Sequence, residues 1–167
     1  LFSAAYEGGC SQLPAVRRGD AAHADSRQQA AGFAVYIHVP FCRVRCGYCD
    51  FNTYVKDFGP GADRASYHDS ARGELALAAQ FLRGQELVVP PASSVYFGGG
   101  TPTMLSVRAL RAILEEVEET WGIAPGAEVS IEANPDTITD QVARELAASG
   151  FTRVSLGMQS AMPQVLA

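Results

Sequence analysis

The sequence contains no apolar run that approaches the roughly 20 residues required for a membrane-spanning helix. Its N-terminus also lacks the basic start and apolar stretch of a secretory signal. Positive charge is in short supply, because 13 Lys and Arg residues face 18 Asp and Glu residues, which gives a net charge of −5. A chain of this charge has no general electrostatic attraction for nucleic acid or for an anionic membrane, and we expect neither as a partner.

Cysteine is also scarce. Four cysteines in 167 residues are too few for a disulfide scaffold, which favours a reducing, cytoplasmic location. Cys10 lies alone in a polar segment, and we interpret it as incidental. The other three, Cys42, Cys46 and Cys49, have the spacing C-x3-C-x2-C. This dense grouping indicates a metal centre rather than a disulfide framework.

No sustained hydrophobic period is present before Phe33. Residues 1–32 are rich in Ala, Gly, Gln, Arg and Asp, and we predict that they form a flexible leader. Beyond it, short β-branched and aromatic stretches alternate with helical patterns. The predicted strands are FAVYIHVPF, SSVYF, EVSIEANP and TRVSLGMQS. Strands that alternate with helices predict an α/β fold with a parallel sheet.

Three amphipathic helices are predicted between these strands. Asp63 or Ser66 can cap the first helix, Ser106 the second and Thr139 the third, with Gly150 ending the third helix. The apolar face predicted for the first helix consists of Tyr67, Ala71, Leu75, Ala78 and Leu82.

Unusual residues follow each predicted strand at its carboxyl end. The cysteine loop follows the first strand, a glycine-rich segment at 98–103 follows the second, Glu132 lies at the end of the third, and Gln159 lies at the end of the fourth. In parallel α/β folds binding sites gather at this edge, so we expect one shared site there. The segment GGGTPT lacks the third glycine of the dinucleotide fingerprint and the Gly-Lys pair of a phosphate loop.

Three closely spaced thiolates suit zinc, copper(I) or an iron–sulfur cluster. A structural zinc site needs four ligands, and His38, Asp50 or His68 would have to supply the fourth because the chain has no second C-x2-C pair. A cubane cluster normally takes one cysteine for each of its four irons, so three cysteines leave one iron open. We favour the cluster, because an open iron can bind an exchangeable molecule. Zinc is the alternative.

The cysteine loop after a first strand resembles the signature of radical S-adenosylmethionine (SAM) proteins. The blocks YIHVPFC, CGYCDFN, VYFGGGTPT, IEANPD and GFTRVSLGMQS are similar to the coproporphyrinogen oxidase-like branch of that family, and most of all to its HemW-type heme chaperones. The resemblance runs from Tyr36 to about Leu166. It implies that residues 33–167 are the N-terminal part of a radical SAM partial (β/α) TIM barrel, incomplete with its first four strands, since a barrel needs about 200 or more residues.

This resemblance also implies roles for individual residues. Cys42, Cys46 and Cys49 match the ligands of a 4Fe–4S cluster whose open iron binds S-adenosylmethionine. In the family the reduced cluster passes an electron to that cofactor, which yields a 5′-deoxyadenosyl radical. Residues that match contacts of the cluster or of S-adenosylmethionine are Tyr36, Tyr48, Gly100, Thr101, Pro102, Glu132 and Gln159.

Two functions from different classes are compatible with the resemblance, and a different radical enzyme is a third alternative. The first is a heme chaperone, which would bind heme or porphyrin, pass heme to an acceptor protein and need an electron donor for its cluster. The alternative is an oxygen-independent coproporphyrinogen III oxidase, which decarboxylates two propionates by radical chemistry. The oxidases usually carry a further cysteine just after the triad, where this chain has Phe51. That difference favours the chaperone, and whether the protein is an enzyme stays open.

Overall fold

The computed structural model describes residues 2–3, 32–55, 63–158, 160, 162 and 164. Most of the predicted leader therefore lies outside the described residues, and its flexibility stays a prediction. No secondary structure is predicted for this segment, but Phe2–Ser3 (β1) form a short strand. This strand pairs antiparallel with residues 36–37.

The four predicted strands form one parallel sheet in chain order. They span Ala34–Val39 (β2), Ala92–Gly99 (β3), Ile123–Ala133 (β4) and Arg153–Leu156 (β5). Each pairs in parallel with the next, so the predicted α/β fold is confirmed. β4 begins earlier than the predicted stretch EVSIEANP, and β3 continues through two of the glycines predicted to follow it.

Three helices connect the parallel strands: Tyr67–Gly84 (α1), Val107–Trp121 (α2) and Asp140–Ala148 (α3). The predicted caps of the last two helices are confirmed. The Ser106 hydroxyl accepts a hydrogen bond from the backbone N–H of Ala109, and the Thr139 hydroxyl accepts one from Val142, both at 3.2 Å. These bonds satisfy backbone donors that the first turn of a helix leaves unpaired.

The first helix begins differently from the other two. Ser66 occupies the N-cap position, but its side chain makes no capping bond. Instead, the Asp63 carboxylate accepts hydrogen bonds from the N–H and the hydroxyl of Ser66, both at 2.8 Å. Two of the predicted face residues, Ala71 and Leu75, are buried, whereas the predicted Ala78 is only half-buried and Ala79 takes its place in the core. Burial follows the i, i+4 row, so position 79 continues the row that begins at position 71.

One hydrophobic core lies between the sheet and the helices. It is built from alternate residues of the strands, such as Ile37, Phe97 and Ile131, and from the apolar faces of α1 and α2. The Phe97 side chain is completely buried and packs edge-to-face on Phe151, with ring centroids 5.1 Å apart. No helix in the described ranges is both long enough and apolar enough to cross a membrane.

Candidate functional site

The polar side chains of the central strands lie on the sheet face opposite the helix-covered core. On β2, β3 and β4 the core residues are flanked by half-buried ones, namely Tyr36, His38, Tyr96 and Glu132. Successive strand residues point to opposite faces, so these four side chains share one face. His38 and Glu132 each lie one residue before the carboxyl end of their strand, where a site was predicted, and Tyr36 and Tyr96 lie beside them in mid-strand.

The cysteine loop begins at the end of β2 and is closed at its base by backbone hydrogen bonds. The Cys42 N–H donates to the Tyr54 carbonyl at 2.9 Å, and the Tyr54 N–H donates to the Pro40 carbonyl at 2.7 Å. Within the loop, the Cys49 N–H donates to the Cys46 carbonyl at 3.1 Å. The backbone therefore places all three cysteines on one closed loop, with Cys46 exposed and the other two half-buried.

The three loop cysteines are free thiols. Among the residues that the structure describes, no three His, Cys, Asp or Glu side chains converge as a site for a single metal ion. A cubane makes a different demand, because each cysteine binds a different iron. The assignment of these thiols as cluster ligands stays a prediction.

His38, the residue on β2 that could have been a fourth zinc ligand, uses both ring nitrogens within the protein. Its Nε2 lies 2.9 Å from the Asn52 carbonyl, and its Nδ1 lies 3.0 Å from the Tyr36 hydroxyl. Because a carbonyl can only accept, Nε2 carries the proton that reaches Asn52, and Nδ1 shares the second hydrogen bond with the Tyr36 hydroxyl. His38 thereby links Tyr36 on β2 to Asn52, which follows the third cysteine of the loop.

The glycine-rich segment lies directly against the cysteine loop. The Gly100 N–H donates to the Val39 carbonyl at 2.8 Å, and the Thr101 N–H donates to the Phe41 carbonyl at 2.7 Å. The Thr101 hydroxyl lies 3.9 Å from the Cys42 sulfur. A Cβ atom at Gly100 would lie 2.7 Å from the Phe41 carbonyl oxygen and 3.0 Å from the Cys42 sulfur. At this distance only glycine fits, because it has no side chain. The structure thus places Gly100, Thr101 and Cys42 side by side.

Glu132 also has partners within the site. Its Oε1 accepts a hydrogen bond from the Tyr96 hydroxyl at 2.7 Å, and its Oε2 accepts one from the Gly99 N–H at 3.1 Å. These donors offset the cost of holding a carboxylate at the end of a central strand. The Glu132 charge in turn affects its neighbours. Burial and the bond to Glu132 raise the pKa of Tyr96 to about 12, and burial followed by the Glu132 charge raises the pKa of Tyr36.

The remaining predicted site residues differ in what the structure says of them. Tyr48 lies in the loop between two cysteines and is 69% exposed, so its ring is accessible next to the predicted cluster. Pro102 is fully buried at the start of a 3-10 turn, where its ring fixes the backbone path of the glycine-rich segment. Gln159 and Cys10 lie outside the described residues.

Sequence reasoning missed three residues that organise this site. Tyr96 holds Glu132, the Asn52 carbonyl holds His38, and the Tyr67 hydroxyl donates to the His38 carbonyl. A signal was available for Tyr96, because it lies between the core residues Val95 and Phe97 and so must point to the site face. No sequence pattern pairs the other two with His38.

A cleft of about 370 Å³ lies elsewhere, at the amino ends of β4 and β5, where α2 and the end of α3 contribute its walls. Of the predicted site residues that the structure describes, none lines it. In parallel α/β folds of this kind, functional residues gather at the carboxyl ends of the strands. The grouping of polar residues at that edge, and not cleft size, therefore locates the candidate site.

We expect His38→Leu to loosen the cysteine loop, because it removes both hydrogen bonds of the imidazole. With a net value of about 1 kcal/mol for each bond, the free energy of unfolding should fall by about 2 kcal/mol. His38→Gln is the matched variant, since its amide can still donate to the Asn52 carbonyl and should recover part of the loss. Thermal melting and iron retention against a chelator measure both effects. Wild-type iron retention in His38→Leu would contradict this role.

Comparison with known proteins adds evidence of a different kind. The sequence model of the Radical SAM superfamily matches residues 36–167. A heme chaperone HemW from Mycobacterium tuberculosis is 47% identical over 135 residues, which cover 81% of this chain and 33% of that protein. A HemW from Synechocystis is 40% identical over 135 residues, which cover 80% of this chain and 32% of that protein.

Coproporphyrinogen oxidases are similar at lower identity. An oxygen-independent coproporphyrinogen III oxidase from Bradyrhizobium diazoefficiens is 34% identical over 135 residues, which cover 81% of this chain and 29% of that protein. The solved structure of coproporphyrinogen III oxidase (HemN) from Escherichia coli, described as a radical SAM enzyme, matches with a TM-score of 0.66 at 30% identity. That match covers 78% of this chain and 28% of the other.

Proposed function

This chain belongs to the radical SAM superfamily, and on that premise we propose that it forms the cofactor-binding part of a HemW-type heme chaperone. The family implies a 4Fe–4S cluster and S-adenosylmethionine as cofactors. The chain spans about a third of the length of the curated relatives it matches. Heme binding, transfer of heme to an acceptor protein and an electron donor for the cluster are therefore proposed for the whole protein.

The donor set of the cysteine loop fits the cluster. Three free thiols on one backbone-closed loop are soft ligands of the kind that iron–sulfur clusters take. We assign Cys42, Cys46 and Cys49 to three irons and leave the fourth iron for S-adenosylmethionine. The chemistry that the cluster supplies when bound is a one-electron reduction of that cofactor. Free thiols are also typical of a reducing compartment, which supports the proposed cytoplasmic location.

The protein's own residues provide the binding surface beside the loop. Gly100 keeps the backbone close to Cys42, where a side chain would collide with it. The Glu132 carboxylate is held by Tyr96 and Gly99, each of which occupies one acceptor position on one oxygen. An ionised carboxylate has about four acceptor sites, so Glu132 retains capacity for the ammonium group or the ribose hydroxyls of S-adenosylmethionine. Tyr36 and Tyr48 complete the proposed contacts, together with Thr101, Pro102 and Gln159.

The single observation that carries the choice of chaperone over oxidase is Phe51. It stands where the oxidases usually carry a further cysteine, and its side chain is 65% exposed in the loop. The 47% identity to the HemW of Mycobacterium tuberculosis exceeds the 34% identity to the oxidase from Bradyrhizobium, which supports the same choice. The oxidase remains the second candidate, because the HemN structure shares this fold at 30% identity.

Side-by-side assays of the anaerobically reconstituted full-length protein test the proposal. Iron and sulfide are added to assemble the cluster, and heme retention is measured in parallel with coproporphyrinogen turnover. We expect stable heme retention and no turnover, because the protein lacks the additional cysteine of the oxidases. Turnover without heme retention would establish the oxidase instead. Zinc in place of iron in the purified protein would remove both candidates.

A further inference from the structure

Tyr96 contacts two of the residues assigned to the S-adenosylmethionine site. Its hydroxyl donates to Glu132 Oε1 at 2.7 Å, and the other carboxylate oxygen accepts from the Gly99 N–H at 3.1 Å. The two donors approach different oxygens, so together they fix both the position and the rotation of the carboxylate. The Tyr96 hydroxyl is the only side-chain donor among the hydrogen bonds to Glu132 that the described residues make.

The ring of Tyr96 supports the second of these residues. Tyr96 lies directly opposite Tyr36 in the parallel pairing of β2 and β3. Their rings are stacked, with centroids 6.0 Å apart and planes inclined by 21°. This distance lies within the range in which aromatic pairs attract each other, so the Tyr96 ring limits how the Tyr36 ring can turn.

The three side chains meet above one glycine. A Cβ atom at Gly98 would lie 2.6 Å from Tyr96 Cε1 and 3.1 Å from both Glu132 Oε2 and Tyr36 Cε2. Gly98 therefore forms the floor on which these side chains converge. Tyr96 occupies the middle of the group, since it touches both of the others by separate parts of the same side chain.

We propose that Tyr96 is a positioning residue for S-adenosylmethionine, whose hydroxyl orients Glu132 and whose ring holds Tyr36 in place. This inference rests on the cofactor site of the proposed function, and it adds a residue to those that the family resemblance implied. Without the hydroxyl, Glu132 keeps one backbone donor and gains rotational freedom. Binding the cofactor must then restrict that freedom, which lowers the affinity.

A double-mutant cycle on cofactor affinity tests the proposal. The variants are Tyr96→Phe, Glu132→Ala and the combination of the two, in the protein carrying its oxidised cluster so that S-adenosylmethionine is bound but not cleaved. Equilibrium dialysis then gives each dissociation constant. We expect Tyr96→Phe to bind about tenfold more weakly, as for the loss of one hydrogen bond to a charged group. In the Glu132→Ala background the same change should have almost no effect, because the hydroxyl acts through the carboxylate.

Two further measurements separate positioning from general damage. Tyr96→Leu removes the ring as well as the hydroxyl, so it should bind more weakly than Tyr96→Phe. The melting temperature of Tyr96→Phe should fall only by what the loss of one hydrogen bond predicts, and should stay above that of Tyr96→Leu. If Tyr96→Phe binds S-adenosylmethionine as tightly as the unaltered protein, the proposed role of Tyr96 is wrong. It is also wrong if Tyr96→Phe weakens binding equally in the presence and absence of Glu132. Either result would leave the proposed cofactor site standing. Failure of the unaltered protein to bind S-adenosylmethionine would overturn the proposed cofactor site and this inference with it.

Discussion

Replacement of Cys42, Cys46 or Cys49 by serine, one at a time, should abolish cluster assembly. Each thiolate is proposed to hold a different iron, so two remaining cysteines would leave half of the cubane without protein ligands. Even the loss of a partner outside the ligand shell typically costs 10–100-fold in metal affinity, so we expect iron content to fall by about tenfold or more. Iron and acid-labile sulfide per chain, measured after anaerobic reconstitution, give the result.

Cys10→Ser is the matched control for this series. Cys10 is predicted to be incidental, so its replacement should leave iron and sulfide at the level of the unaltered protein. Equal losses from all four substitutions would indicate non-specific iron binding by thiols. Full iron content in any one of the three loop variants would remove that cysteine from the proposed ligand set.

Gly100→Ala should displace the cysteine loop although it changes no ligand. The added Cβ would lie 2.7 Å from the Phe41 carbonyl oxygen, 3.0 Å from the Cys42 sulfur and 3.0 Å from the Pro40 carbonyl carbon. Two of these atoms belong to the backbone, so the collision cannot be relieved by a side-chain rotation. Overpacking of this kind costs about 1–3 kcal/mol. This cost would lower the equilibrium constant between the closed and the displaced cysteine loop by about 5- to 150-fold. Cluster content and S-adenosylmethionine affinity should both decrease.

Gly73→Ala provides the comparison for Gly100→Ala. Gly73 lies in α1, and a Cβ atom there would meet no atom within 4 Å among the described residues. Because alanine is favoured over glycine in a helix by about 1 kcal/mol, this variant should melt at a higher temperature and retain its iron. If Gly100→Ala retained iron as well as Gly73→Ala does, the close contact between the glycine-rich segment and the loop would have no role in cluster binding.

Most of the fold could be predicted because its signals are local. The alternation of Val35, Ile37 and Val39 with polar neighbours identified a strand with one buried face, and burial in the structure follows that pattern. Ser106 and Thr139 could be recognised as caps because a cap acts on a backbone N–H three residues away. The error at Ala78 also arises from a local pattern. The predicted face continued from Leu75 by three residues to Ala78, whereas the helix buries Ala79, four residues after Leu75.

The candidate site could be predicted in position but not in its contacts. Parallel strands place their carboxyl ends at one edge, so the cysteine loop, Gly100 and Glu132 were expected to meet there. The close approach of Gly100 to Cys42 depends on how the loop folds back over the end of β3. The Phe2–Ser3 strand could not be predicted either, because two residues are too few to show a period.

The amino-acid sequence by itself determined the order of strands and helices, the buried faces and the cysteine spacing, because each depends on residues that are close together in the chain. Only the tertiary structure decided that Tyr96 holds Glu132, which lies 36 positions further along the chain. The same is true of His38 and Asn52, which are separated by 14 positions. Those pairs are set by strand register and loop path. A shift of one residue in register would turn every side chain of a strand to the other face of the sheet, and the contacts that form the site would be lost.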